Sequence, residues 1–310
     1  MNKKTIFITG AGGFIGKNLT EQLNGKYNLL TPGHKELDLL DEKAVDNFFK
    51  KNKIDVVINC AVIGGSRKEE HVDSSLSGNL RIFFNLLKNK GRYKKMIHLG
   101  SGAEYDKTKP IIKVKETDLG KTIPKDEYGF FKYICSKYIE KEKDIVCIRI
   151  FGLFGKYEDY RYRFISNAIV NNLKGLPITM NQNVFFDYTD INDFVRIVDH
   201  FINHKAKHKF YNIGTGKKID ILTIANKINK IADKKSKITI KNKGLNNEYT
   251  CNSSRLKTEL KKFEFTDFDK SLNELYRWYR DKSVSFPPPI GVEGRLLRES
   301  RNHGSPFSRG

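Results

Sequence analysis

Tyr128 and Lys132 stand four residues apart in YGFFK, the spacing that puts two side chains on one face of a helix. An ammonium beside a phenol favours the phenolate, bringing a tyrosine from its ordinary value of about 10 towards working pH as an acid and base. Ser101 ends the apolar run KMIHLGS and is followed by Gly102-Ala103-Glu104-Tyr105. A serine at a strand end and a tyrosine and lysine on the next helix can face one cleft. There the three groups suit proton delivery to an oxygen that gains charge. Ser101, Tyr128 and Lys132 are the expected catalytic residues. Cys60, Cys135, Cys147 and Cys251 lie far apart without metal-ligand spacing, so no metal is expected.

A second cluster supplies the place for a cofactor. In TIFITGAGGFIG, residues 5–16, a β-branched and aromatic run breaks into Gly10, Gly12, Gly13 and Gly16. The glycines follow a strand and precede the helical run 17–23. Gly10 permits a tight turn, Gly13 lets backbone approach a pyrophosphate, and Gly16 lets the helix pack on the strand. Phe14 and Ile15 are expected to meet the cofactor with the glycines, and the helix amino terminus faces the phosphates. At the ribose end, Thr31-Pro32-Gly33-His34-Lys35 has no carboxylate before Glu36. His34 and Lys35 can meet a 2′-phosphate, which favours NADP over NAD. Asp38, with Leu39 beside it, is placed to approach the adenine edge.

The elements that must position these residues follow from periodicity. Apolar runs at 5–9, 27–31, 54–59, 95–101 and 144–151 alternate with 3.6-period stretches such as IGKNLTEQL and GNLRIFFNLLKN. Hydrophobic, non-alternating strands between helices argue an α/β fold, a doubly wound parallel sheet of the Rossmann kind covered on both faces. Residues 1–155 form the expected nucleotide-binding domain. After that the rhythm loosens, and residues 156–282 read as a smaller mixed α/β substrate lobe, some segments of which can return to the first domain. Residues 283–310 hold half of the chain's eight prolines and only arginine as basic residue, and are expected to be an appended or disordered tail.

Composition narrows the class further. A 310-residue chain can bury a full-sized core. No apolar run approaches the roughly 18 residues of a membrane span, and Met1-Asn2-Lys3-Lys4 leads into a strand and not an apolar leader, so a cytoplasmic protein with no membrane partner is expected. The net charge of +21 comes from lysines interleaved with Asn and Ile, without a dense basic helix or an aromatic RNA-binding strand, and nucleic acid is not the expected partner.

TGxxGxxG, Asn59-Cys60-Ala61, Ser101 ahead of YxxxK, RIFGLFG at 149–155, Tyr211-Asn212-Ile213-Gly214 and Ser254-Arg255-Leu256 together resemble the extended short-chain dehydrogenase/reductases acting on nucleotide sugars. The likeness runs from about residue 4 to 280. Ala61-Val62-Ile63-Gly64-Gly65 and residues 36–41 are similar to the GDP-fucose synthases, which epimerise C3 and C5 of a GDP-4-keto-6-deoxy sugar and then reduce C4 with NADPH. The resemblance implies that Tyr128 is the general acid, that Lys132 binds the nicotinamide ribose, that Ser101 holds the substrate oxygen, and that Ala61 lines the cofactor. It implies a nucleotide-sugar substrate near Ala103, Tyr128 and Arg255, and a homodimer through the helices at 79–89 and 128–140, whose apolar faces hold Leu80, Phe83, Phe84 and Leu87, and Phe131, Ile134, Cys135 and Tyr138.

The departures redirect the expectation. The epimerising Cys and His of those synthases correspond to Ala103 and Arg163, which lack a titratable proton or hold it permanently. Dehydratases of the superfamily carry an Asp-Glu pair where this chain has Gly102-Ala103. Many relatives place an Arg before Asp187, where Phe186 stands; Lys156, Arg161 or Arg163 is expected to meet the pyrophosphate instead. The expected activity is NADPH-dependent reduction of a 4-keto sugar, GDP-linked, for surface polysaccharide, without epimerisation. If epimerisation does occur, His71 or Glu104 is the expected base. The alternatives are an NAD-dependent C4 epimerase using the same three residues and a dinucleotide-sensing regulator needing only the glycine loop.

Overall fold

The computed structural model describes residues 3–64 and 75–282. The expected tail at 283–310, Gly65 and His71 lie outside the described residues. The first half of the chain runs β1 (Thr5–Thr9), α1 (Phe14–Leu23), β2 (Asn28–Leu30), α2 (Glu42–Lys51), β3 (Val56–Asn59), α3 (Ser75–Leu87), β4 (Lys95–Ser101), β5 (Ile111–Val114), α4 (Glu127–Ile139) and β6 (Ile145–Ile150). The second half runs β7 (Gly152–Phe154), α5 (Phe164–Leu173), β8 (Ile178–Met180), β9 (Phe185–Phe186), β10 (Tyr188–Asp190), α6 (Ile191–Asn203), β11 (Phe210–Ile213), β12 (Ile219–Asp220), α7 (Ile221–Ile231), β13 (Ile238–Ile240), β14 (Tyr249–Cys251), α8 (Ser254–Leu260) and α9 (Phe268–Lys282).

Alternate side chains of each central strand enter different cores, because strand side chains point to opposite faces in turn. Ile6 and Ile8 pack with Leu19 of α1 and Phe194, Val198 and Phe201 of α6. Phe7 between them packs with Phe49 of α2, Phe83 of α3 and Phe131 of α4. Burial on both faces explains why these runs show no polar alternation. The strands form one parallel sheet in the order β11-β6-β4-β3-β1-β2. Gly100 pairs with Arg149 and Ser101 with Ile150, so the loops after β1, β3, β4 and β6 emerge along the same carboxyl edge. Ligands of open α/β sheets bind at such an edge.

A separate core of Phe154, Ile169, Ile224, Ile228, Leu272 and Tyr276 joins α5, α7 and α9. Outside this core the two halves of the chain exchange elements. From the second half, α6 covers the first sheet and β11 forms its edge beside β6. From the first half, β5 joins β14 in the small sheet β12-β9-β14-β5. Periodicity missed β5, of whose four residues only Ile111 is fully buried and which carry too short a pattern to stand out.

Candidate active site

The glycine loop has the shape its spacing requires. Gly10 has φ +64°, and a Cβ there would lie 2.9 Å from the Ala61 backbone. A Cβ at Gly16 would collide with the Gly10 carbonyl oxygen, so α1 can approach β1 only because that position is bare. Gly13 caps α1 without a side-chain hydrogen bond, and the first turn holds no acidic residue. The helix amino terminus therefore presents amide donors and an uncompensated dipole, and Gly12 has open space around it. Thr9 ties the loop to β3: its hydroxyl donates to Asn59 Oδ1 at 2.9 Å and accepts the Cys60 and Ala61 amides, each at 3.1 Å. This cradle fits the pyrophosphate of a dinucleotide. Phe14 and Ile15 are partly buried against the core below it.

At the ribose end, Glu36 folds back and accepts the Gly33 amide at 2.7 Å. His34 and Lys35 are exposed, and His34 lies 3.9 Å from Asp38. Asp38 accepts the Leu40 amide at 2.9 Å, while the Leu39 carbonyl is held by Asn85 of α3 at 2.9 Å.

The catalytic candidates meet where α4 leaves its cap. Asp126 accepts the Gly129 amide at 2.9 Å and starts the helix. Gly129 lies so near the turn after β4 that a Cβ there would be 2.7 Å from the Ala103 carbonyl oxygen, so the start of α4 is held against the turn that Ser101 opens. One turn on, Lys132 is buried, donates to the Leu99 carbonyl at 2.5 Å and lies 5.9 Å from the Tyr128 ring centre. An ammonium has three donors, so two remain for the phenol and a ribose. Lys107, which sequence reasoning missed, lies 5.7 Å from the same ring and 3.2 Å from Asp126. The charge of Lys132 also reaches His98, whose imidazole is kept neutral chiefly by burial, and burial pushes the Cys60 thiol up to about 12.

Ser101 opens a tight turn. Its hydroxyl accepts the Ala103 amide at 3.1 Å, and its own amide donates to Glu104 Oε1 at 2.8 Å. Ala103 is buried. Glu104 faces away from the cleft: its other oxygen accepts from Arg149 Nε and the Ser136 hydroxyl, both at 2.6 Å. Glu104 and Arg149 are fully buried. Arg149 continues to the Tyr105 hydroxyl at 3.1 Å, which donates to Asn212 at 2.8 Å. This network binds β4, α4, β6 and β11 beneath the serine, and it corrects the expectation that Glu104 could serve as a base. A carboxylate paired with a buried guanidinium has no spare capacity for a substrate proton.

The cationic candidates separate. Lys156 is half-buried and its carbonyl accepts from Asn18 of α1 at 2.8 Å. Arg161 is bound to Asp159 through two hydrogen bonds, at 2.8 and 2.7 Å. Arg163 is exposed and stands at the N-cap of α5. These three share the loop after β7. Arg255 is not brought to that loop: it donates to the Phe210 carbonyl at 3.0 Å, at the start of β11, and lies 3.7 Å from Glu116. Asp187 is likewise occupied, accepting the Thr215 amide and hydroxyl, both at 2.7 Å, and the Gly216 amide at 2.8 Å. Tyr249 from β14 does reach the serine turn, and nothing in its sequence neighbourhood signals it.

Fold and site together place the chain among the extended short-chain dehydrogenase/reductases. Within that class it belongs to the NAD dependent epimerase/dehydratase family, whose model matches residues 6–214. GDP-L-colitose synthase of Yersinia pseudotuberculosis is 28% identical over 184 residues, covering 53% of this chain and 58% of that relative; the chain thus spans little more than half of its length. Among solved structures, GDP-mannoheptose C4 reductase from Campylobacter jejuni with NADP bound is similar at TM-score 0.76 and 20% identity, over 90% of this chain and 99% of its own. A GDP-L-fucose synthetase from Naegleria fowleri is similar at TM-score 0.79 and 16% identity, over 92% and 96%. At these identities the structures speak for the fold.

Proposed function

We propose that the protein reduces the C4 ketone of a GDP-linked 4-keto-6-deoxy sugar with NADPH and leaves C3 and C5 unepimerised. The observation that carries this reading is the Ser101, Tyr128 and Lys132 cluster beside an apolar Ala103 and a Glu104 already committed to Arg149. When bound, the dinucleotide supplies the hydride. Tyr128 protonates the oxygen that gains charge, Ser101 donates a hydrogen bond that strengthens as charge develops, and Lys132 stabilises the phenolate left behind. Exposed His34 and Lys35 suit a 2′-phosphate and support NADP. The protein acts as a cytoplasmic homodimer in surface-polysaccharide synthesis. The family's description also covers NAD-dependent epimerases, so a C4 epimerase with the same three residues is the competing reading.

The test is incubation in D₂O with NADPH or NADH and a panel of GDP-, dTDP- and UDP-4-keto sugars, with NMR of the products. Expected are consumption of NADPH in preference to NADH, reduction at C4, and no deuterium at C3 or C5 beyond a control without enzyme. Enzyme-dependent deuterium at either carbon would sink the claim of no epimerisation. Interconversion of C4 epimers of GDP-, dTDP- or UDP-hexoses, supplied in a parallel incubation, without net NADPH consumption would establish the epimerase instead.

A further inference from the structure

Tyr249 belongs to the lobe that follows the nucleotide-binding half, yet its hydroxyl ends at the serine turn. Its backbone is fixed on both sides, β14 pairing with Ile111 of β5 and Phe186 of β9. Its ring packs against Phe151, centres 5.2 Å apart, and Phe186, centres 5.9 Å apart. The chain gives way to this phenol at Gly102, where a Cβ would stand 2.6 Å from the Tyr249 oxygen and 2.8 Å from the ring carbon bearing it. The adjoining Ser101 hydroxyl is near enough to the Tyr249 phenol to lower its pKa against the rise that burial causes. Burial pushes the Tyr249 phenol well above its ordinary range, so it stays protonated.

A serine hydroxyl has one hydrogen to give and two lone pairs to receive with. The Ala103 amide occupies one lone pair at 3.1 Å. Of the two hydroxyls, the phenol is the more acidic and so the better donor, and the aliphatic oxygen the better acceptor. We propose that Tyr249 is a positioning residue that donates into the second lone pair of Ser101, leaving the serine hydrogen only the direction of the substrate oxygen. The mutual polarisation of the two hydroxyls makes that hydrogen a stronger donor as the oxygen gains charge. The small sheet of the second lobe thereby sets the donor geometry of a residue on the first. The proposal rests on the reductase reading for the nature of the oxygen, and on the approach of the phenol to Gly102 for the hydrogen bond.

Two measurements test it separately. In steady-state reduction of a 4-keto sugar, Tyr249→Phe is expected to lower kcat about tenfold with the KM for NADPH unchanged, and to change kcat by less than about twofold in a Ser101→Ala background. An equal loss in both backgrounds would mean that Tyr249 acts by packing or on its own, and would overturn the proposal. In the full chain without substrate, carbon-13 labelling of tyrosine Cζ is expected to show the Tyr249 resonance moving in Ser101→Ala. A resonance that stays in place removes the hydrogen bond and the proposal with it, whatever the activity or folding of Tyr249→Phe. A resonance that moves in a protein inactive on every 4-keto sugar would uphold the hydrogen bond and refute the reductase.

Discussion

Tyr128 has ammonium groups on two sides, Lys132 from its own helix and Lys107 from the loop after the serine turn. Tyr128→Phe keeps the ring and its edge-on packing with Phe131, 5.5 Å between centres, and removes only the acid. Turnover should fall by about 10² to 10⁴ with NADPH affinity nearly unchanged; steady-state kinetics with a fluorescence titration of NADPH would show it, and near-normal turnover would remove Tyr128 from the mechanism. Glu158 shows the opposite use of burial. It is buried with the Ser166 hydroxyl donating to it at 2.6 Å, and burial pushes its carboxyl up to about 7. The native state then holds a proton that the unfolded chain releases near 4.5, so this group's contribution to stability is full below about 4.5 and is lost as pH rises through about 7. Glu158→Gln should match the wild type in thermal unfolding near pH 4.5 and exceed it at pH 8. A variant that loses stability over that range as steeply as the wild type would assign the slope to another group.

At the scale of elements, the approach of α1 to β1 depends on one missing methyl group. Gly16→Ala sets a carbon against the Gly10 carbonyl oxygen, and that oxygen also accepts the Gly13 amide at 3.0 Å. The loop cannot yield without moving the amides that face the pyrophosphate. NADPH affinity should drop about tenfold or more, read by fluorescence titration, while the far-UV circular dichroism stays native. Unchanged affinity would show that the phosphates sit elsewhere. The contrast with α4 is instructive: there Asp126 caps the helix, and the functional residues are side chains one turn apart and not the amides of the terminus. Each helix is started in the way its role needs.

The apolar faces of α3 and α4 are only partly spent inside the chain. Phe83, Leu87, Phe131 and Cys135 are buried in the core beside the sheet. Leu80, Phe84 and Ile134 are partly buried, and Tyr138 is 43% exposed with its ring 5.1 Å from Phe84. A second copy laid against this face would bury all four, the self-complementary contact of a two-fold dimer. Light scattering should return twice the 35.8 kDa chain mass, and Tyr138→Glu should return the single mass. A monomer across micromolar concentrations in the unaltered protein would refute the homodimer. At the same scale, no helix of the described residues is long and apolar enough to cross a membrane.

The glycine loop, the YxxxK pair and the serine at a strand end were legible in the sequence because each satisfies a local condition. A left-handed φ selects glycine, a helical turn brings residue i to i+4, and a strand buried on both faces reads as an unbroken apolar run. What surrounds those residues was not legible. Glu104 reads as a candidate base until Arg149, 45 residues later, neutralises it beneath the sheet. Arg255 reads as a substrate ligand until β11 and Glu116 engage it, and Tyr249 reads as an ordinary strand residue until β5 and β9 hold it over Gly102. Sequence alone determined which groups are candidates for the chemistry; only the pairing of distant strands decided which charges were already committed, since a charge is committed by its nearest partner in space and that partner has no fixed distance along the chain.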